Sequence, residues 1–102
     1  MKIQDFKKGW LIGNFEPSLF KSDDVEIGIK NYVKGTIEEK HHHKLTTEYT
    51  IIISGKVKML DKEFIAGDII KIEPNIENEF HCLEDACVLV IKTPSIPSDK
   101  HY

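Results

Sequence analysis

The chain has 102 residues and a mass of 11.7 kDa, which is the size of one domain and excludes a two-domain enzyme with a cleft between its halves. Hydrophobic residues make up 40% and charged residues 30% of the chain, a balance typical of a folded globular domain and unlike that of a disordered one. A net charge of −3 lacks the basic character of a nucleic-acid-binding domain, so we expect no nucleic-acid partner.

The apolar runs of the sequence are short. The run at residues 49–53, for example, is far below the ~20 residues that a helical membrane span requires. Residues 1–5 also lack the apolar stretch of a signal peptide. We therefore expect a cytoplasmic protein with no membrane partner.

Short apolar segments separated by Pro and Gly predict an all-β fold from the N-terminus onward. Two strands are expected at residues 3–6 and 10–15, followed by a single helical turn near residues 17–20. Residues 25–33 alternate between apolar and polar side chains, which is the period of a strand with one apolar face. Gly35 ends this strand.

The second half of the chain continues the pattern. The β-branched run 48–54 closes at Gly55 and alternation resumes over 56–60, which we interpret as a hairpin. Further strands are expected at residues 63–65, 68–72, 80–82 and 86–92. Eight or nine short strands at this spacing predict a sandwich or small barrel.

The sequence predicts a single domain over residues 1–102. Residues 1–24 form its N-terminal strands and a loop. Residues 93–102 form a C-terminal tail that contains two prolines and no period, so it is either a loose end or a strap over the barrel.

A cluster of histidines follows the strand that ends at Gly35. In an extended segment alternate side chains share a face, so His41 and His43 point the same way and His42 points the opposite way. Glu48 opens the next strand and can return a carboxylate to the same point. Two imidazoles and a carboxylate suit iron, manganese, nickel or zinc, so His41, His43 and Glu48 are predicted to converge on one divalent metal ion.

The segment that carries these residues resembles the first sequence motif of the cupin superfamily. Five residues separate Gly35 from His41, one separates His41 from His43, four separate His43 from Glu48, and six separate Glu48 from Gly55. This spacing matches the motif without a gap. The resemblance implies a cupin-type double-stranded β-helix, or jelly roll.

The second cupin motif is degenerate in this sequence. Counted from Gly67, Glu73 stands where the motif has Pro, Asn75 where it has Gly, and Asn78 where it has its last His. The resemblance therefore puts Asn78 at the fourth position of the metal site. An amide oxygen is a weaker ligand than imidazole for such metals.

His81 is the alternative fourth ligand. If Asn78 faces the barrel interior, Phe80 and Cys82 face it too, and His81 faces the other way. A bulge near residue 78 would reverse this order. The strand period favours Asn78 and keeps His81 as the alternative.

Three other side chains are possible members of a pocket. Lys30 and Tyr32 share one face of the strand before the histidines, and this face either lines a polar pocket or, as is more common for charged residues, meets solvent. Trp10 is interpreted as a core or dimer contact, with stacking on a sugar ring as the alternative.

Two functions follow from the sequence and the resemblance. The opening and closing segments, residues 9–17 and 92–95, resemble a branch of small single-domain cupins, the monocupins.

The resemblance implies a metal-dependent isomerase, epimerase, lyase or dioxygenase that acts on a small polar molecule such as a carbohydrate. The alternative is a non-catalytic barrel that binds or senses a sugar-like ligand, and the degenerate second motif favours it. The catalytic residues are not identifiable.

A homodimer is the expected assembly. Small barrels have exposed edge strands, and a second copy commonly covers such an edge. The predicted strand at residues 3–6 is a natural element to exchange between the two copies.

Overall fold

The computed structural model describes residues 1–102 and consists almost entirely of β-strands. Two short 3-10 turns, Ile3–Asp5 and Lys7–Gly9, come first. The strands, in chain order, are β1 (Trp10–Gly13), β2 (Phe20–Lys21), β3 (Glu26–Tyr32), β4 (Ile37–His41), β5 (Thr47–Met59), β6 (Lys62–Ile65), β7 (Ile69–Ile72) and β8 (Asn78–Thr93). The predicted all-β jelly-roll class is confirmed. None of the helical segments has the length and apolar character needed to cross a membrane.

The two long strands, β5 and β8, organise the barrel because each takes different neighbours along its length. The first half of β5 pairs with β7 and the second half with β6, while β8 lies along the other side of both halves. The first part of β8 pairs with β4 and the later part with β3. The chain thus folds into two curved layers that enclose a common interior.

The interior is filled by the side chains that alternate inward along these strands. Its apolar part consists of ten buried residues: Ile52, Val57, Met59, Ile70, Ile72, Phe80, Cys82, Ala86, Val88 and Val90. On β8 the inward positions are the even-numbered ones near both ends, as the strand period predicts. Of the polar side chains of β3, Glu26, Lys30 and Tyr32 face inward, and Glu26 is only 5% exposed.

Gly55 lies within β5, so the predicted hairpin at this residue is wrong. Gly55 has a φ of 85°, and the register with β8 shifts on either side of it. A Cβ at Gly55 would lie 2.1 Å from the backbone oxygen of Asp85, so only glycine permits this close approach to β8. The glycine kinks a continuous strand instead of reversing it.

The strands predicted separately at residues 80–82 and 86–92 are also one strand. β8 runs through Glu84 and Asp85 without a break, because Lys56 on β5 pairs with Glu84 across the kink. The acidic residues in the middle of β8 are exposed, which made the segment look like a turn in the sequence.

The N-terminal predictions need two corrections. The expected strand at residues 3–6 is a 3-10 turn, since the Asp5 carboxylate accepts a hydrogen bond from the backbone N–H of Lys2 at 2.8 Å and closes the turn. The expected helical turn at residues 17–20 does not form either. Phe20 instead begins the short strand β2, which pairs in parallel with β1.

Candidate functional site

A cavity of about 420 Å³ lies in the barrel interior. Its walls are the inward faces of β3, β4, β5 and β8, and residues of the C-terminal segment 94–102 also contribute to its lining. Six residues singled out in the sequence meet in this lining: Lys30, Tyr32, His41, His43, Glu48 and Asn78.

The two histidines lie side by side at the end of β4. Their ring centroids are 5.4 Å apart and the rings are nearly perpendicular. Nδ1 of His41 is 2.9 Å from the backbone oxygen of Glu39, an interaction that fixes the ring orientation and leaves Nε2 unused by it. Nε2 of His43 lies 3.4 Å from Nζ of Lys92. Burial, with further contributions from Lys92 and His41, lowers the pKa of His43 to about 4, so its imidazole is neutral at pH 7.

Glu48 lies beside Lys92 on the neighbouring strand. The two residues are register partners on β5 and β8, and Glu26 on β3 is the register partner of Lys92 on its other side. Oε1 of Glu48 is 4.0 Å from Nζ of Lys92. Oε2 accepts a hydrogen bond from the hydroxyl of Thr50 at 3.2 Å. A lysine ammonium is thus held between two buried carboxylate positions.

Asn78 and His81 lie on opposite faces of β8. Asn78 is 5% exposed and lines the cavity, and its Oδ1 accepts a hydrogen bond from the backbone N–H of Leu60 at 3.0 Å. His81 points outward, where its Nε2 pairs with the carboxylate of Glu79 and borders a separate outer depression. The structure therefore does not bring His81 to the other predicted ligands.

His42 lies outside the cavity lining. Its backbone pairs with His101 of the C-terminal segment in both directions, with N···O distances of 2.8 and 2.9 Å.

Lys30 and Tyr32 face the cavity and not the solvent. The hydroxyl of Tyr32 donates a hydrogen bond to Oε1 of Glu38 at 3.1 Å. Burial, and then the nearby Glu38 carboxylate, raise the pKa of Tyr32 well above its usual value, so the phenol stays protonated. Burial and the neighbouring lysines lower the pKa of Lys30 to about 8, against the opposing effect of Glu38.

Solved structures share this architecture. KdgF from Halomonas sp. superposes with a TM-score of 0.68 at 16% sequence identity, over 74% of this chain and 74% of its own. An RmlC-like cupin from Shewanella frigidimarina gives a TM-score of 0.69 at 16% identity, over 76% of this chain and 72% of its own. The chain has the cupin fold.

A further cupin structure, a sugar phosphate isomerase from Silicibacter pomeroyi, gives a TM-score of 0.62 at 15% identity. It matches 69% of this chain but only 50% of its own length. No protein-family model matches the sequence, and no curated protein matches it either. Similarity at these identities establishes the cupin fold alone.

The donors of this cupin barrel do not fit a divalent metal ion as they are placed. Two imidazoles and a carboxylate are suitable donors, but no three His, Cys, Asp or Glu side chains of the chain are positioned to hold one ion. The ammonium of Lys92 lies next to both His43 and Glu48. The oxygen of Asn78 already accepts the Leu60 N–H. The structure does not bring His41, His43 and Glu48 to one point, and their role as metal ligands stays a prediction.

Lys92 is one of the cavity residues that the sequence did not indicate, and Trp10 is one for which the sequence favoured another role. Lys92 shares the inward parity of Val88 and Val90 on β8, and this parity was a signal that could have found it. Trp10 was interpreted as a core or dimer contact, with stacking on a sugar ring as the alternative, and it lines the cavity opposite Gly28 in the register of β1 and β3. A Cβ at residue 28 would lie 2.7 Å from the Trp10 ring, so the glycine makes room for it.

The C-terminal segment closes over the histidine loop. The buried carboxylate of Asp99 accepts hydrogen bonds from the backbone N–H groups of Lys44, Leu45 and Thr46 at 3.0, 2.8 and 3.0 Å. Nε2 of His101 lies 3.1 Å from the same carboxylate. The segment is thus a strap that fixes the loop directly after His43.

Proposed function

We propose that this cupin barrel binds a small polar, carbohydrate-type molecule in its central cavity and acts on it by proton transfer. The observation that carries the proposal is the neutral imidazole of His43 beside the ammonium of Lys92, 3.4 Å apart in the cavity lining. A neutral base next to a cation is the pair that an isomerase, epimerase or lyase needs.

The cavity suits a small molecule. Its volume of about 420 Å³ falls within the ordinary range of small-ligand sites, roughly 300–1,000 Å³. Its walls combine an aromatic ring, Trp10, with hydroxyl, imidazole and carboxylate groups. Aromatic faces stack on the apolar faces of sugar rings, and the polar groups hydrogen-bond to their hydroxyls.

The proposed chemistry uses this chain's own side chains. His43, neutral at pH 7, accepts a proton from a carbon next to a carbonyl group. The ammonium of Lys92 stabilises the negative charge that develops on the carbonyl oxygen. His43 then returns the proton to the neighbouring carbon on the same face while the hydroxyl proton on that carbon passes to the former carbonyl oxygen, which gives isomerisation. Epimerisation would need a second proton donor on the opposite face of the ligand.

The alternative is the metal-dependent cupin predicted from the sequence. One observation favours it: the contact between His41 Nδ1 and the Glu39 carbonyl leaves Nε2 available, as in many histidines that ligate metals. Iron, manganese, nickel or zinc would then require Lys92 to move away from His43 and Glu48. The change in metal affinity when Lys92 is replaced by methionine distinguishes the two hypotheses.

Binding is tested by thermal unfolding in the presence of neutral sugars, uronates, sugar phosphates and keto acids. A molecule bound only by the native state raises the melting temperature by mass action. Val90 faces the cavity between Gly28 and Thr50, so Val90→Trp should fill it and abolish the response. Its neighbour Ile91 lies on the opposite face, and Ile91→Trp is the matched control that should keep the response.

Proton transfer is tested by exchange of a carbon-bound hydrogen of the bound ligand in D₂O, followed by NMR. The proposal predicts exchange in the native protein and its loss in His43→Gln, with binding retained. Binding without any exchange would assign the barrel to the non-catalytic class. No shift in melting temperature with any of the four ligand classes would contradict the proposed function itself.

A further inference from the structure

Lysine ammonium groups are concentrated at one side of the cavity. Nζ of Lys30 lies 4.4 Å and Nζ of Lys92 lies 4.9 Å from the centroid of the Trp10 ring. Both distances are within the range of a cation–π interaction, so one aromatic ring orients two cations. Three more lysines line the same cavity: Lys7, Lys8 and Lys100.

The cavity has as many carboxylates as lysines, but most of these carboxylates have a polar partner other than a cavity lysine. Five of them line it: Glu16, Glu26, Glu38, Glu48 and Asp99. Asp99 accepts backbone N–H groups, and Glu16 pairs with Lys21, which lies outside the cavity lining. The remaining three glutamates each accept a hydrogen bond from a hydroxyl group: that of Ser95, Tyr32 or Thr50.

Most of the cavity lysines form no ion pair with a carboxylate. Only Lys92 has a carboxylate within 4.0 Å, that of Glu48, and that distance is at the limit for an ion pair. Lys30 is partly buried and has no carboxylate within that distance. The nearby Glu38 carboxylate offsets part of the like charge that Lys92, Lys8 and Lys100 add around it. Unpaired, partly desolvated cations of this kind attract an anion strongly.

We infer that the ligand of this cavity carries an anionic group, a carboxylate or a phosphate, which binds beside the ring of Trp10 and pairs with the ammonium groups of Lys30 and Lys92 that lie around it. The inference rests on the proposed function and narrows its substrate class to acidic sugars or phosphorylated sugars. The shared chemistry is an anion whose oxygens accept hydrogen bonds from two ammonium groups.

Trp10 supplies a direct readout because it is the only tryptophan in the chain. An anion that binds beside the ring and pairs with these lysines changes the charge next to the indole and therefore its fluorescence. The probes are glucose, glucuronate, glucose 6-phosphate and inorganic phosphate, titrated at constant ionic strength. The two acidic sugars differ from glucose in one group each, so they separate a carboxylate from a phosphate.

The variant to compare is Lys30→Met, with Lys62→Met as the matched control. Lys62 is exposed on β6 and does not line the cavity. Lys30→Met should weaken binding of the anionic probe roughly tenfold and weaken binding of glucose much less. Lys62→Met should bind like the native protein, and equal melting temperatures would show that both variants fold.

The outcomes separate the two proposals. Preference for glucuronate or glucose 6-phosphate over glucose, lost in Lys30→Met alone, supports the anionic subsite. Equal binding of glucose and both acidic sugars, unaffected by Lys30→Met, overturns the anionic subsite but keeps the carbohydrate cavity. No fluorescence response to any anionic probe at millimolar concentration, inorganic phosphate included, overturns the anionic subsite outright.

Discussion

At the scale of single residues, Asp99 makes the most concentrated set of polar contacts in the chain. Burial acts to raise the pKa of Asp99, but hydrogen bonds from the backbone N–H groups of Leu45 and Lys44 and from His101 outweigh it, so the pKa lies well below its usual value. The ionised carboxylate therefore stabilises the fold and holds the loop that follows His43.

Asp99→Asn should lower the free energy of unfolding by about 2 kcal/mol at pH 7, because an amide oxygen replaces a charged acceptor of several N–H groups. The native contribution is present above the unfolded pKa of about 4 and is lost as the pH falls toward the lowered folded value. Urea unfolding at neutral and acidic pH measures both effects.

Asp23→Asn is the matched control for this prediction, because Asp23 is exposed and its side chain makes none of the hydrogen bonds found in the fold. It should change stability little. An Asp99→Asn protein as stable as the native one at pH 7 would show that the strap contributes nothing to the loop.

A second prediction at the residue scale is that the ammonium of Lys92 opposes the binding of a divalent metal ion. Lys92→Met should raise the affinity for Zn²⁺ at least tenfold, because it removes a positive charge that repels the ion. Two unit charges about 4 Å apart interact by about 4 kcal/mol at an effective dielectric constant near 20, and the double charge of Zn²⁺ about doubles this value. Isothermal titration with ZnCl₂ measures the change, and Lys62→Met is again the control. Equal Zn²⁺ affinity in the native and Lys92→Met proteins would contradict the role given to the ammonium.

At the scale of elements, β5 and β8 depend on the kink at Gly55. Gly55→Ala should destabilise the fold by about 3 kcal/mol, because the new Cβ meets the Asp85 oxygen and also strains a positive φ. Gly67→Ala is the control for strain alone, since Gly67 has a φ of 93° but open space around it, and it should cost only about 1 kcal/mol. If urea unfolding gave the same loss of unfolding free energy for Gly55→Ala and Gly67→Ala, the close approach of β5 and β8 would not contribute to the cost.

The same strands explain which parts of the fold were predictable. Alternation along a strand is local, so the sequence correctly separates Asn78 from His81 and correctly indicates an all-β barrel. Gly55 after a β-branched run looks like a hairpin turn, and only the pairing with β8, some 30 residues away, makes it a kink.

The candidate site was predictable to a similar extent. Its histidines and Glu48 lie in one recognisable segment. Lys92 lies in the site because it is paired with Glu48 in the register of β5 and β8. Asp99 lies there because its carboxylate accepts hydrogen bonds from a loop more than 50 residues earlier in the chain. Nothing in the polar, proline-containing tail indicates that Asp99 is buried, because its partners are backbone groups that any sequence would supply.

At the scale of the whole molecule, the predicted homodimer needs a different interface from the one first expected. Residues 3–6 form no strand to exchange. Exposed isoleucines instead occur on β5, β6 and β7, where Ile53, Ile65 and Ile69 are 54%, 57% and 65% exposed. We propose that a second copy covers this outer surface.

Light scattering at micromolar concentration should therefore give the mass of a dimer, and Ile69→Glu should shift it to a monomer. Ile3→Glu, at an equally apolar but N-terminal position, is the control and should stay dimeric. A monomeric native protein would contradict the proposal. A cytoplasmic location stays a prediction.

The central claim is that the barrel interior holds an acidic or phosphorylated sugar. The most direct test is a ¹H–¹⁵N NMR titration of the labelled protein with glucuronate and with glucose 6-phosphate. At least one of the two sugars should shift the Trp10 indole signal and the backbone signals of Thr50 and Lys92, which surround the cavity. Shifts confined to the outer depression beside His81, or no shifts with either sugar, would contradict it.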